Sequence, residues 1–273
     1  MKKVLLAALA LMSVAVANVN AKVTTGSSPE VKMTAGSCPE VKMTAGDKPK
    51  VEEKRALKGF ERIRLLGSLD VKYRQGKEFS VVVKAPQSLM KKVETRVEGN
   101  TLVVNMRGEG KLIRFGSVSG DDVTVYVTSP DLIGIDLKGS GDFDCKTHLD
   151  TDNLELSVRG SGDVELSDVI CDRVNASIIG SGDVKIRKLV TQQTRLSVIG
   201  SGEMDINQQK VKQTQIEIKG SGDVKVVCKD CGSIESRIFG SGDIKLSGDV
   251  KEHKITKRGT GDYDISRLTI TKK

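Results

Sequence analysis

Four residues, Gly139-Ser140-Gly141-Asp142, set the plan of this chain, because they return six more times. The copies are Gly160-Ser161-Gly162-Asp163, Gly180-Ser181-Gly182-Asp183, Gly200-Ser201-Gly202-Glu203, Gly220-Ser221-Gly222-Asp223, Gly240-Ser241-Gly242-Asp243 and Gly259-Thr260-Gly261-Asp262. Their first glycines lie 21, 20, 20, 20, 20 and 19 residues apart. A fixed period of this length marks a stacked array in which each repeat buries its apolar face only against its neighbours.

The flanks define the repeat unit. Two residues before the first glycine stand Leu137, Val158, Ile178, Val198, Ile218 and Ile238, and two earlier Ile135, Leu156, Ala176, Leu196 and Ile216. After the acidic residue come Phe143, Val164, Val184, Met204, Val224, Ile244 and Tyr263. Two further on stand Cys145, Leu166, Ile186, Ile206, Val226, Leu246 and Ile265. Apolar and polar residues alternate on both sides of the turn, which is a strand period. Each repeat therefore reads as strand, tight glycine turn, strand and looser return. A meander of antiparallel hairpins could use such units. A parallel β-solenoid also explains why one position keeps its character through seven copies, since the same residue of every coil is aligned. The expected fold is all-β, a parallel β-helix or β-solenoid with coils of about 20 residues stacked about 4.8 Å apart.

Residues 1–21 read as a cleaved secretory signal, with Lys2 and Lys3 before an apolar run from Val4 to Val16 and Val19-Asn20-Ala21 as a cleavage site. The later sequence has no stretch of 18 apolar residues, so an integral membrane protein is not expected. Residues 22–57 hold a ten-residue repeat, seen in Ser28-Pro29-Glu30-Val31-Lys32-Met33 and Cys38-Pro39-Glu40-Val41-Lys42-Met43. Its Pro, Gly and few apolar residues predict a flexible linker. Residues 58–273 form the expected domain: an irregular N-terminal part and cap at 58–138, then the regular repeats at 139–265. Gly67-Ser68-Leu69-Asp70 is a worn copy of the later turn, and residues 87–95 predict one or two helical turns.

The net charge of +8 favours acidic partners, but lysine and arginine are scattered along polar strand faces. With no Trp, five Phe and three Tyr, stacking platforms for bases are scarce, so no nucleic acid is expected as partner.

The signal, the Phe60-Glu61-Arg62-Ile63 opening, Asp70-Val71-Lys72-Tyr73-Arg74-Gln75-Gly76, Val81-Val82-Val83, Leu102-Val103-Val104 and the repeated turn together resemble the head GIN domain family. These are auto-transporter adhesin-type proteins common in Bacteroidetes. The resemblance covers about residues 58–266. It implies a right-handed parallel β-helix in an exported protein that is periplasmic, outer-membrane-associated or on the cell surface. It brings no catalytic residues and no cofactor.

Candidate chemistry centres on the acidic ladder of Asp142, Asp163, Asp183, Glu203, Asp223, Asp243 and Asp262. Stacked like charges repel and need an offset. Backbone N–H groups within each turn would supply it. Calcium is the metal alternative, but the known calcium-binding β-roll has a nine-residue repeat. Neither a metal site nor a catalytic site is expected, because a catalytic site is local and would break the repeat. His148 and His253 fall at different phases of distant coils. Cys228-Lys229-Asp230-Cys231 lacks the βαβ setting of a redox motif and the further ligands of a zinc site, which leaves a local disulfide. Cys145 reads as a buried thiol, and Cys38 in the linker as a candidate for intermolecular bonding. The expected function is an exported, non-catalytic adhesin-like or binding module for a surface or envelope ligand, glycan or protein. The alternatives are a polysaccharide-active β-helix enzyme and a purely structural envelope protein.

Overall fold

The computed structural model describes residues 49–107 and 123–271. The signal, the ten-residue repeats as far as residue 48 and Cys38 lie outside the described residues. Among the described residues are nineteen strands and one short helix.

The N-terminal part runs β1 (Lys50–Arg55), β2 (Arg62–Gly67), β3 (Asp70–Gln75), β4 (Ser80–Pro86), α1 (Gln87–Met90), β5 (Val93–Glu98), β6 (Thr101–Met106) and β7 (Thr124–Ser129). The next strands are β8 (Gly134–Gly139), β9 (Phe143–Asp150), β10 (Asn153–Gly160), β11 (Val164–Ile170), β12 (Arg173–Gly180), β13 (Val184–Val190), β14 (Gln193–Gly200) and β15 (Glu203–Gln209). The chain closes with β16 (Gln213–Gly220), β17 (Asp223–Gly240), β18 (Ile244–Gly259) and β19 (Tyr263–Ile270).

The repeats stack as a parallel β-solenoid with two faces. On the entry face, which leads into each glycine turn, β8, β10, β12, β14 and β16 pair in parallel and in register, Gly160 beside Gly139 and Gly180 beside Gly160. On the exit face β9, β11, β13 and β15 also pair in parallel, with the register slipping by one residue between β9 and β11 and again between β13 and β15. β17 and β18 are long because each runs on around the return corner, so their two halves serve both faces. Alternation then has one outcome. Leu156, Val158, Val164, Leu166, Ile178 and Ile186 all point inward and are buried between the faces.

The glycine turn is held by its own stacking. Ser161 and Gly162 both donate N–H to the carbonyl of Gly139, at 2.9 and 3.2 Å, and the pattern repeats in later coils. Gly160 has φ +132°, and a Cβ there would meet the Gly139 oxygen at 2.2 Å. Both the backbone conformation and the coil spacing therefore require glycine.

The N-terminal part does contain a coil, but out of spatial order. β2 and β3, joined through Gly67, pair with β8 and β9 on one side and with β6 and β7 on the other. The first coil in the sequence is thus the second in the stack. β4 lies antiparallel to β7, and β5 antiparallel to β6, ending the parallel stacking at this end. Helix α1 is a single turn that buries Met90, shorter than the longest helix the sequence allowed.

One boundary changes. Residues 50–55, read as the end of the linker, form strand β1 and pair antiparallel with β4. Its sequence, Lys-Val-Glu-Glu-Lys-Arg, has no apolar alternation to announce a strand. Backbone bonding to β4 supplies the order, and charged side chains suit an outer edge.

Candidate functional site

The acidic ladder differs in detail from expectation. Five of the seven carboxylates reach to the next coil instead of closing their own turn. Asp142 Oδ1 accepts the N–H of Asp163 at 3.0 Å, Asp163 that of Asp183 at 2.9 Å, and Asp183 that of Glu203 at 2.9 Å. Asp223 accepts from Asp243, and Asp243 from Asp262, at 2.9 and 2.7 Å. The reason is the spacing: parallel coils bring the next turn's N–H as near as any group within the turn. The ladder skips once. Asp223 N–H turns to the carbonyl of Gly202 at 3.1 Å, where the longer Glu203 stands in the preceding coil. Stacking leaves a mark on Asp163. Partial burial, reinforced by the Asp142 and Asp183 charges, raises its carboxyl above the ordinary value of 3.8.

Cys228 and Cys231, for which the sequence left a local disulfide, are instead buried free thiols at the return corner. Asp230 between them has φ 54°, which turns the chain so that both sulfurs face inward. Interaction between the two neighbouring thiols raises Cys228 and holds Cys231 below the ordinary thiol value. Gln208, also buried, donates to Cys228 Sγ at 3.5 Å and to Thr214 Oγ1 at 2.8 Å. Cys145 is fully buried, and Cys171 faces Thr191 one coil on, with burial raising its thiol to about 11. His148 pairs with Asp168 at 3.2 Å, whereas His253 bonds Ser236 at 2.9 Å. The structure brings neither histidine to the acidic ladder. Among the described residues, no group of three or more His, Cys, Asp or Glu could hold a metal ion.

The outward faces differ in electrostatics. The exit face is cross-linked by its own charges: Lys188 to Asp168, Lys225 to Asp205 and Lys245 to Asp264, each at 3.1 Å, and Arg187 to Glu165. Such exposed pairs add little stability but neutralise most of the charges on β11, β13 and β15. The entry face is paired only toward its ends. Arg62 meets Glu155, Arg64 meets Asp136 at 2.8 Å, Lys219 meets Glu217 at 2.6 Å, and Arg237 meets Glu235 at 2.6 Å.

Between those ends lies a window without carboxylates. Parallel register lines up Arg173, Gln193 and Gln213 in one row, and Asn175, Arg195 and Gln215 in the next. Arg173 Nε donates to Gln193 Oε1 at 3.2 Å, and Arg195 Nε to Gln215 Oε1 at 3.0 Å. Neither guanidinium has an ion-pair partner among the described residues, so their remaining N–H donors face solvent. These six side chains line a hollow of about 290 Å³. A second hollow of about 180 Å³ continues from Arg195 and Gln215 toward Glu235 and Arg237. Beside them run Ser177 and Ser197, then the exposed Ile179 and Ile199. A flat strip of amides, guanidiniums and hydroxyls bordered by aliphatic side chains can bind a polar, extended ligand through many directional bonds. Nothing in the strip is arranged as a nucleophile and base.

The sequence reading did not single out these residues. The signal was present in the outward positions seven and five before each first glycine. Glu155 and Glu235 occupy the second of these, and Asn175, Arg195 and Gln215 stand between them.

Fold and surface together define a two-faced parallel β-solenoid that presents an unbroken, uncompensated polar strip. The chain belongs to the family described as "Putative auto-transporter adhesin, head GIN domain", whose model matches residues 59–230. Three solved structures share the fold. An adhesin-named protein from Bacteroides fragilis NCTC 9343 superposes with TM-score 0.70 at 24% identity, over 80% of this chain and 97% of that one. A protein of Parabacteroides distasonis ATCC 8503 titled "Putative lipid binding protein" gives 0.65 at 22%, covering 80% and 97%. Another from Parabacteroides merdae ATCC 43184, titled a putative adhesin, gives 0.62 at 19%, covering 80% and 97%. Comparison with curated proteins gives no match. No helix among the described residues is long and apolar enough to cross a membrane.

Proposed function

We propose that this protein is an exported, non-catalytic adhesin-like module that holds an extended polar ligand, an envelope or surface glycan, along its entry face. The observation that carries this reading is the carboxylate-free window around Arg173 and Arg195, set in a face where Arg62, Arg64, Lys219 and Arg237 are neutralised by Glu155, Asp136, Glu217 and Glu235. In-register rows repeat every 4.8 Å or so, and a polymer of sugar residues can meet several of them at once. Many individually weak contacts then sum to useful affinity. The adhesin family and the adhesin-named relative from Bacteroides fragilis support the binding class. The relative named for lipid binding suggests a second ligand class. The interior here is filled by side chains such as Leu166, Ile186 and Ile206, which favours a ligand on the surface over an acyl chain within.

A glycan array probed with the mature protein tests the proposal, with Arg173→Gln/Arg195→Gln in parallel. The expected result is binding to a restricted glycan set, weakened about tenfold or more in the double variant, since hydrogen bonds from charged groups contribute roughly 1.5–3 kcal/mol each. Equal binding by parent and variant, with both equally stable, would remove the entry face from the mechanism. Turnover of any bound glycan would replace the binding module with the enzyme.

A further inference from the structure

A second surface lies away from the entry face, where the N-terminal cap meets the first coils. Two adjoining hollows open there, of about 470 and 920 Å³. Arg74, Ser80, Thr128 and Thr147 line both, so these residues mark the junction. Their positions follow from the topology already described. β3 lies beside β7 with Arg74 opposite Thr128, and antiparallel β4 brings Ser80 opposite the same Thr128.

Arg74 Nε approaches Thr128 Oγ1 at 3.4 Å, a long contact that leaves the terminal N–H groups of the guanidinium available. No carboxylate pairs with Arg74 among the described residues, and the same holds for Lys72 and Lys77 in the adjoining walls. The walls together hold Lys54, Arg55, Lys72, Arg74, Lys77 and Lys146 against only Asp144 and Glu78. Asp144 is engaged by Lys146 at 3.4 Å, and Arg55 by Glu53 at 3.0 Å. The remaining positive charges converge on a concave surface, where field focusing raises the local concentration of anions. Tyr126, 39% exposed, stands in the wall of the smaller hollow and adds an amphipathic ring.

We propose that this junction groove binds phosphate esters, with Arg74 as the central contact. A guanidinium fork beside three hydroxyls suits an oxyanion with several acceptor oxygens. Lys72 and Lys77 contribute charge from either side of Arg74. The hollows exceed what a lone anion fills, so the phosphate is carried on a larger polar body such as a glycerol unit. That chemistry is shared by phospholipid headgroups and by soluble phosphorylated compounds. The site is independent of the proposed glycan strip, since the groove and the strip share no lining residue.

The test uses the mature protein with three probes: inorganic phosphate, glycerol 3-phosphate, and phosphatidylcholine vesicles with and without phosphatidylglycerol. Calorimetry reads the soluble probes and co-sedimentation the vesicles. Arg74→Gln/Lys72→Gln is compared with Lys185→Gln, an exposed exit-face residue, as a control for general charge. Because Arg74 and Lys72 are exposed, thermal melting is expected to match the parent and so certify folding. The expected result is saturable binding of glycerol 3-phosphate, of phosphatidylglycerol vesicles, or of both, weakened about tenfold or more in the double variant and unchanged in the control. Vesicle binding that glycerol 3-phosphate displaces identifies a headgroup, and binding of the soluble ester alone identifies a soluble ligand. No binding of any ester probe overturns the proposal, as does equal weakening by Lys185→Gln. A loss confined to the groove variant, with the glycan array unchanged, separates this site from the entry face.

Discussion

Gly180 shows how much one residue of the repeat decides. Its φ is +134°, and a Cβ there would meet the carbonyl oxygen of Gly160 at 2.3 Å. Coil spacing is fixed by strand pairing on both faces, so the neighbour has nowhere to retreat. Gly180→Ala is expected to cost more than the roughly 1–3 kcal/mol of backbone strain alone, read as a fall in the urea midpoint. Gly99→Ala is the control, with φ +61° but nothing near the added methyl, and is expected to cost only about 1–2 kcal/mol. Equal losses would mean that conformation, not contact between coils, governs the turn. Asp163 offers a finer test. Removing its carboxylate in Asp163→Ala strips the acceptor from Asp183 N–H and is expected to cost about 1 kcal/mol. Its charge acts in the opposite sense. Burial and stacked neighbours raise its folded pKa above 3.8, so the folded state binds the proton more tightly than the unfolded one. The favourable contribution is therefore present at low pH and lost as pH rises through the folded value. Asp163→Asn, which keeps an acceptor oxygen, is expected to gain stability relative to the parent at neutral pH, the gain shrinking as pH falls through the folded value and gone below about 3.8. Melting curves across that range check it; a gain that grows on acidification would reverse the sign.

At the scale of elements, the repeating strands were legible in sequence because alternation and a fixed-period turn specify both local structure and register. The order of the first coils was not. β2 carries an apolar alternation like the others, and nothing in Arg62–Gly67 says that its neighbours are β6 and β8 rather than the next strand along. Such pairings join residues far apart in sequence, and they are settled by packing instead of local pattern. β1 was missed for the opposite reason, since it has no pattern and gains its order from the partner strand alone. That distinction gives a prediction. Residues 47–273 form a compact unit, so removing residues 1–46 is expected to leave its melting temperature unchanged. Removing residues 1–57 also takes away β1 and Leu57, which packs against the core, and bares the hydrogen-bonding edge of β4. The shorter protein is expected to associate through that edge, seen as a concentration-dependent shift in size-exclusion chromatography. A monomer of parental stability would show that β1 is dispensable. The entry-face window was half legible. The sequence fixes which side chains point outward, but the value of Arg173 and Arg195 lies in ion pairs not made, and pairing across coils needs the register.

At the scale of the whole solenoid, the two ends are unequal, and stability should follow. Each coil contacts mainly its neighbours, so the array behaves as a row of coupled units and opens most easily where a unit has one neighbour. At the N-terminal end antiparallel β4 and β5 cover the first coil, and Val83, Val104 and Val125 there are fully buried. At the other end no strand follows β19 among the described residues, and the inward positions of the last coil are poorly covered. Ile265 is 39% exposed, although its counterparts Leu246 and Val226 are fully buried, and Ile255 is 42% exposed. The expectation from sequence that Ile265 belongs to the core thus does not hold for its burial: the pairing of β18 with β19 slips just at this point, and no further coil covers it among the described residues. Backbone amides of the last coil, from Glu252 in β18 through β19, should therefore exchange with solvent by local fraying, faster than those of β10 to β15. The middle amides should exchange only at rates that track global unfolding. Hydrogen exchange under native conditions, followed by proteolytic fragmentation, checks this gradient. Ile265→Ala supplies the decisive comparison. With so little burial to lose, it is expected to change global stability by well under the roughly 2–5 kcal/mol of a buried Leu→Ala or Ile→Ala change such as Leu166→Ala. Its effect should appear only in the exchange of the last coil. Uniform protection from β10 to β19, together with a large loss from Ile265→Ala, would show that this end is covered in solution, with a second protein or further chain supplying the missing coil.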